Sequence, residues 1–251
     1  ALGDASTAYC GISNIRLWER SFQKYHLTQT PENGFGETPL KKYRRHIFLL
    51  HPNKVVIYDE LEANEKVRWD WLLHSPVKFD INPAASILTT VNKEKGFSSV
   101  VQLFCEQEAA ITQTDKYAAP PNHADAQRGE DFTDPWSLTA SFGPSRNNRI
   151  LTIIQVEADG RQAVQIMREG NTFQCGEWVI EAELNAKRPG RLYIRNSRNN
   201  AVFSYGDKKP EINGELYSCK EKDASVLFDC VNGEWTVQEM GDQRVQTMRK
   251  W

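Results

Sequence analysis

Lys41–Ser75 reads KKYRRHIFLLHPNKVVIYDELEANEKVRWDWLLHS, and the fold class follows from it. Two apolar runs, Ile47–Leu50 and Val55–Tyr58, flank His51-Pro52-Asn53-Lys54, whose Pro and Asn suit a turn between strands. Asp59 then opens a stretch that reads as an acidic loop, Asp59–Glu65. From Val67 the chain alternates. Val67, Trp69, Trp71 and Leu73 share one face, and Arg68, Asp70, Leu72 and His74 the other, which is the period of a half-buried strand.

The same pattern recurs outward from this block. Ser98–Cys105, Ile150–Val156, Ala163–Met167, Phe173–Ala182, Arg191–Arg195, Ala201–Tyr205, Ser225–Val231 and Trp235–Glu239 are short and rich in β-branched and aromatic residues. Asp159-Gly160, Asn213-Gly214 and Asn232-Gly233 are hairpin-type dipeptides between such runs. These features predict an all-β chain, an antiparallel β-sandwich of stacked antiparallel sheets, with one short helical turn near Ala5–Tyr9. A weak subdivision falls near 157–161, within one β region spanning residues 1–251. Asp115–Asp134 is long, polar and Pro-containing, and reads as a surface loop.

The 251 residues are enough for a sizeable core, and seven Trp, eight Tyr and eleven Phe supply its bulk. A net charge of -2 gives no basic footprint for nucleic acid, and no apolar run approaches the roughly 20 residues of a membrane span. Ala1-Leu2-Gly3-Asp4 carries no initiator Met and no leader pattern, and reads as the start of a cut or mature fragment. The five cysteines show no C-x-x-C spacing; they read as buried free thiols, with Cys219–Cys230 the pair available to a disulfide in an oxidising compartment.

Candidate chemistry is sparse. Lys41, Lys42, Arg44, Arg45 and His46 form a cationic run able to hold sulfate or carboxylate groups, arginine best of all through its planar fork. The competing reading is the charged flank of an exposed strand. Asp59 and His74, placed at the ends of neighbouring strands, suggest an orienting pair or two ligands of a metal lacking a third. The bland alternative is an Asp that satisfies loop N–H groups. His123-Ala124-Asp125 is an isolated triplet in the long loop. Trp69, Trp71, Trp136 and Trp178 could stack on sugars, but the shared face of Trp69 and Trp71 reads as a core stripe. No nucleophile elbow, P-loop, dinucleotide fingerprint or H-E-x-x-H zinc motif is present.

Four segments, in order, carry a resemblance. They are Gly3-Asp4-Ala5-Ser6-Thr7-Ala8-Tyr9, Arg45-His46-Ile47-Phe48-Leu49, Val55-Val56-Ile57-Tyr58-Asp59-Glu60-Leu61, and Trp69-Asp70-Trp71-Leu72-Leu73-His74. Together they make residues 1–80 resemble the C-terminal β domain of heparinase II/III-type polysaccharide lyases, with Trp136–Val156 fitting more loosely. The resemblance implies a two-part parent protein, a helical toroid followed by stacked antiparallel sheets, that cleaves acidic polysaccharide by β-elimination. In that family the base and acid come largely from the toroid. A His-x-His-x-Asp-x-Gly motif adds further histidine and metal-ligand positions, but this sequence has no His-x-His, and Asn122-His123-Ala124-Asp125-Ala126 matches the motif only in part.

The expectation is therefore a non-catalytic β domain, inactive alone, that packs against the toroid and helps to form the substrate cleft. Arg44, Arg45 and His46 are its candidate substrate contacts. It carries no catalytic residue, no metal site and no cofactor of its own, a divalent metal being reserved for the full-length enzyme. The expected location is periplasmic or secreted. The alternative is a carbohydrate-binding module with exposed aromatics as its platform.

Overall fold

The computed structural model describes residues 1–6, 23–24, 26, 28, 30, 38–116, 135–158, 160–196, 201–206, 211–212, 215–217, 225–231, 234–241 and 244–250. At 69% strand and 3% helix it is all-β, as the alternation predicts. Every strand pair is antiparallel, so each strand can bury one face and its neighbour's pleat continues it.

The first sheet holds β1 (Leu2–Asp4), β2 (Leu40–Leu50), β3 (Lys54–Ser75), β4 (Asp80–Asn82), β5 (Ile87–Asn92), β6 (Phe97–Phe104), β7 (Ala109–Thr114) and β8 (Trp136–Ala158). Its order is β1-β2-β3-β8-β6-β5-β4, with β7 also paired to β8. The expected turn is present: Leu50 faces Lys54 across His51–Asn53, and this register runs unbroken down to Lys42 opposite Glu62. The expected alternation holds too. Trp69 and Trp71 are buried, while Arg68, Asp70, Leu72 and His74 are exposed.

Three expectations need correction. Asp59–Glu65 is not a loop, because β3 runs continuously for 22 residues from Lys54 to Ser75. Its ladder with β8 shifts between Glu62 and Val67 and again between Val67 and Trp69, so the acidic run is a bulged bend inside one long strand. Asp59 and His74 consequently lie on the same strand and not at the ends of neighbours. Asp59 pairs with Arg45 and Ile150, and His74 pairs with Ser137. Phe173–Ala182 is likewise two strands, split at Gly176, whose φ of 64° is the left-handed conformation of a tight turn.

The second sheet holds β9 (Ile166–Glu169), β10 (Thr172–Cys175), β11 (Trp178–Ala182), β12 (Leu192–Asn196), β13 (Ala201–Tyr205), then β16 (Ser225–Val231), β17 (Glu234–Gly241) and β18 (Arg244–Lys250). Between β13 and β16 the short β14 (Glu211–Ile212) and β15 (Glu215–Leu216) pair only with each other. The change of sheet falls between Ala158 and Ile166. The turn residues Asp159, Asn213-Gly214 and Asn232-Gly233, the partial triplet His123-Ala124-Asp125, most of the Ala5–Tyr9 turn, and Cys10 and Cys219 lie outside the described residues. Cys175 is buried, and Cys105 and Cys230 are half-buried.

Burial divides the apolar side chains into separate cores. One joins the sheets: Leu50, Val56, Tyr58, Leu151 and Ile153 of the first meet Phe173, Trp178, Ile180, Ile194, Phe203 and Tyr205 of the second. Another lies on the opposite face of the first sheet, around Leu61, Trp69, Trp71, Leu88, Leu138, Phe142 and Ile150. Strand β3 serves both, sending Val56 and Tyr58 one way and Leu61, Trp69 and Trp71 the other. The pleat therefore makes a sharp prediction. Trp71→Ala should lower the unfolding free energy in urea titration by about 3–5 kcal/mol, while Leu72→Ala, next in the chain but exposed, should change it by about 0.5 kcal/mol or less.

Candidate functional site

Strand pleat sorts the cationic run. Lys42, Arg44 and His46 of β2 are alternate residues, so they share the face that looks toward the second sheet. His46 and Phe48 there pack on Tyr205 and Phe203, with ring centroids 4.3 Å apart in each case. Tyr43 and Arg45 occupy the other face, beside Leu61, Trp69 and Trp71. The register fixed by the His51–Asn53 turn sets Arg44 opposite Glu60 and Arg45 opposite Asp59. On its other side Glu60 faces Arg149 of β8. One carboxylate thus sits in a row between two arginines.

Glu60 is fully buried. Its Oε1 accepts a hydrogen bond from the Tyr205 hydroxyl at 2.5 Å. Its Oε2 accepts one from Lys42 Nζ at 3.0 Å and lies 3.3 Å from Arg149 Nη2. His46 Nε2 lies 3.8 Å from Oε1, near enough to favour the charged carboxylate. Tyr205 belongs to the second sheet, so this carboxylate ties the two layers together. The backbone closes over it at Gly190, where a Cβ would collide with the carboxylate itself. A side chain there would force the carboxylate to shift from its present donors.

The electrostatics follow from this enclosure. Burial alone would raise the Glu60 carboxyl, but His46, Tyr205, Arg149 and Lys42 outweigh it and hold it down at about 2. Burial and the Glu60 charge push the Tyr205 phenol upward, so it stays an O–H donor at neutral pH. Tyr58, also raised by burial first, donates to the Glu183 carbonyl at 2.7 Å and makes a second bond between the layers. On the outer face Arg45 clamps Asp59 with two hydrogen bonds, Nε–Oδ1 at 2.6 Å and Nη2–Oδ2 at 2.9 Å. Burial nevertheless leaves the Asp59 carboxyl above its ordinary value.

The three expected substrate contacts therefore stand in different places. Arg44 Nε bonds Asp4 Oδ2 at 2.8 Å, Arg45 is engaged with Asp59, and His46 is 1% exposed. Arg44 and His46 share a face, and Arg45 is on the reverse. Trp69 and Trp71 are core residues and offer no platform for a sugar ring, while Trp136 is half-buried against the same core. Among the described residues no three His, Cys, Asp or Glu side chains converge as a metal set would.

Sequence reading missed Lys42–Glu60–Arg149–Tyr205. Only the strand pairing was within reach, because the turn register alone sets Lys42, Arg44 and Arg45 against Glu62, Glu60 and Asp59. Arg149 and Tyr205 carry no local signal, since their place depends on which strands become neighbours. Chemically, a carboxylate held at about 2 by a phenol, an ammonium and a guanidinium is too weak a base to take up a proton near neutral pH. What it does is anchor cations and a hydroxyl at the junction of the sheets.

A scan against protein-family models matches none of them, and a search of curated proteins finds no similar one.

The buried anion sets an acid limit on stability. Its folded-state pKa lies below the ordinary 4.5, so the stabilisation is fully present above about pH 4.5 and is lost as pH falls toward about 2. Urea midpoints measured from pH 6 to pH 2.5 should fall steeply for the unaltered protein. Glu60→Gln should be less stable at pH 6 by about 3–5 kcal/mol, the cost of stranding buried cations, and its midpoints should vary less over the acid range. Parallel acid profiles for the two proteins would refute this.

Proposed function

We propose that this chain is the C-terminal β-sandwich region of a heparinase II/III-like polysaccharide lyase, a non-catalytic body that packs against a helical toroid and forms one wall of the cleft for acidic polysaccharide. The observation that carries the reading is the placement of the segments on which the resemblance rests. Gly3-Asp4 lies on β1, Arg45–Leu49 on β2 and Val55–Leu61 on β3, and these three strands are consecutive neighbours in one sheet. Their polar residues join them: Asp4 to Arg44 and to Ser6, and Arg45 to Asp59. Tyr43 N–H in turn donates to Ser6 Oγ at 2.9 Å. Residues that look like a motif in sequence thus do one structural task, holding the edge of the first sheet in register.

A second observation supports a packing partner. The outer face of the first sheet carries Ile47 at 41%, Leu49 at 64% and Val156 at 41% exposure. Half-buried Val55 and Ile57 lie between them in register, Leu49 against Val55 and Ile47 against Ile57. Apolar residues adjacent across three strands form a surface suited to another domain. Ala1 pairs with Ile47 through both N–H···O bonds at the margin of this surface, so a toroid joined ahead of Ala1 would emerge beside it. In this reading the parent protein is periplasmic or secreted, and its base and acid lie on the toroid. The β-sandwich contributes shape and positive charge to the cleft, where neutralising a uronate carboxylate favours proton removal beside it.

The test is catalytic. The 251-residue chain, mixed with heparin, chondroitin or alginate, should generate no ultraviolet-absorbing unsaturated uronic product, and the parent protein with its toroid should generate it from one of them. Turnover by the chain alone, or a parent protein that encodes no helical toroid, would sink the reading.

A further inference from the structure

Beyond the Glu60 carboxylate the junction opens into a cavity of about 400 Å³, lined by Lys42, Glu62, Arg149, Lys187, Arg188 and Tyr205, with Gly190 and Gly206 in its wall. That volume is in the usual range of about 300–1,000 Å³ for small-molecule sites. Its charge is asymmetric. Lys42, Arg149, Lys187 and Arg188 stand against Glu60, Glu62 and Glu183, which leaves one positive charge in excess. Lys42 and Arg149 spend their closest contacts on Glu60. Glu62 is 4.0 Å from Lys42 and 3.8 Å from Arg149, so it engages both only loosely.

Arg149 lines one wall. Its side chain is 3% exposed, Nη1 donates to the Asn148 carbonyl at 3.3 Å, and its charge is met by Glu60 and, more loosely, by Glu62. The opposite wall carries the exposed cations. Glu183 Oε1 accepts from Asn185 N–H at 2.9 Å and from Asn171 Nδ2 at 3.1 Å. Asn185 Oδ1 then accepts from Lys187 N–H at 2.9 Å, and Arg188 N–H bonds the Asn185 carbonyl at 3.0 Å. This fixes the backbone that carries Lys187 and Arg188. Arg188 Nη1 lies 3.5 Å from Glu183, and Lys187 has no ion-pair partner among the described residues.

We propose that this cavity is a binding site for a single oxyanion group, a sulfate or a carboxylate, taken between buried Arg149 and Lys42 on one wall and Lys187 and Arg188 on the other. The group fits whether it is a free inorganic ion or is carried on a sugar. A guanidinium meets such a group through paired N–H donors, and Lys187 adds an ammonium free to turn toward it. The site does not depend on the lyase reading, because a free sulfate would satisfy it as well as a polymer would.

Isothermal titration of the 251-residue chain at constant ionic strength tests it, with sodium sulfate in one arm and sodium glucuronate in the other. Saturable one-to-one binding is expected in at least one arm, and which arm responds tells the free ion from the sugar-borne group. The Lys187→Ala/Arg188→Ala double variant alters only exposed side chains, and circular dichroism should show its fold intact. Its affinity should drop about tenfold or more. Arg149→Lys, which keeps the charge but removes the fork, should also weaken binding. Heat in neither arm, or unchanged affinity in the double variant, overturns the proposal.

Discussion

A single carboxylate buried between two sheets constrains everything around it. Removing Glu60 from water is unfavourable unless donors replace the lost solvent, and the fold supplies them from three strands. Lys42 comes from β2, Arg149 from β8 and Tyr205 from β13, while the Gly190 backbone covers the site. A buried ion pair adds little net stability compared with a well-packed apolar core, but losing one partner is severe. The apolar contacts between Val56, Leu151, Phe203 and their neighbours hold the layers together. The Glu60 cluster adds a directional contact to that packing, because Tyr205 of one layer donates to a carboxylate of the other.

The sequence discloses local structure better than assembly. The turn His51–Asn53 and the alternation Val67–His74 are visible because both follow from chemistry within a few residues. Long strands are harder to see. Strand β8 runs through Gly143-Pro144-Ser145, which looks like a break, because β3 and β8 bend together there and Pro144 has no registered partner in the ladder. Ala109–Thr114 reads Ala-Ala-Ile-Thr-Gln-Thr, with no clear apolar face to make it stand out, yet it pairs with β8 along its whole length. The cationic run Lys41–His46 was readable as a cluster, but the pleat that separates Arg45 from Arg44 and His46 becomes meaningful only once each face has a neighbour. Arg149 and Tyr205 are distant in sequence from Glu60, and no pattern near either announces that they meet.

That distinction bears on function. The residues that make the first 80 positions resemble lyase β domains are engaged in pairs: Asp4 with Arg44, Arg45 with Asp59, Trp69 and Trp71 with a core. A motif made of such residues records how a sheet edge is built, and it is consistent with a domain whose chemistry lies elsewhere. The positively charged cavity is assembled differently. It draws Lys42 and Arg149 from the first sheet and Lys187 and Arg188 from the loop before β12, so it exists only because the layers are docked.

The most direct measurement is a double-mutant cycle on Glu60→Gln and Tyr205→Phe, read by urea unfolding at pH 7. If the carboxylate and the phenol join the two sheets, their coupling should be about 1.5 kcal/mol or more, in the range of hydrogen bonds to a charged group. Additive losses, with coupling within about 0.3 kcal/mol of zero, would contradict the account and leave apolar packing as what orients the layers.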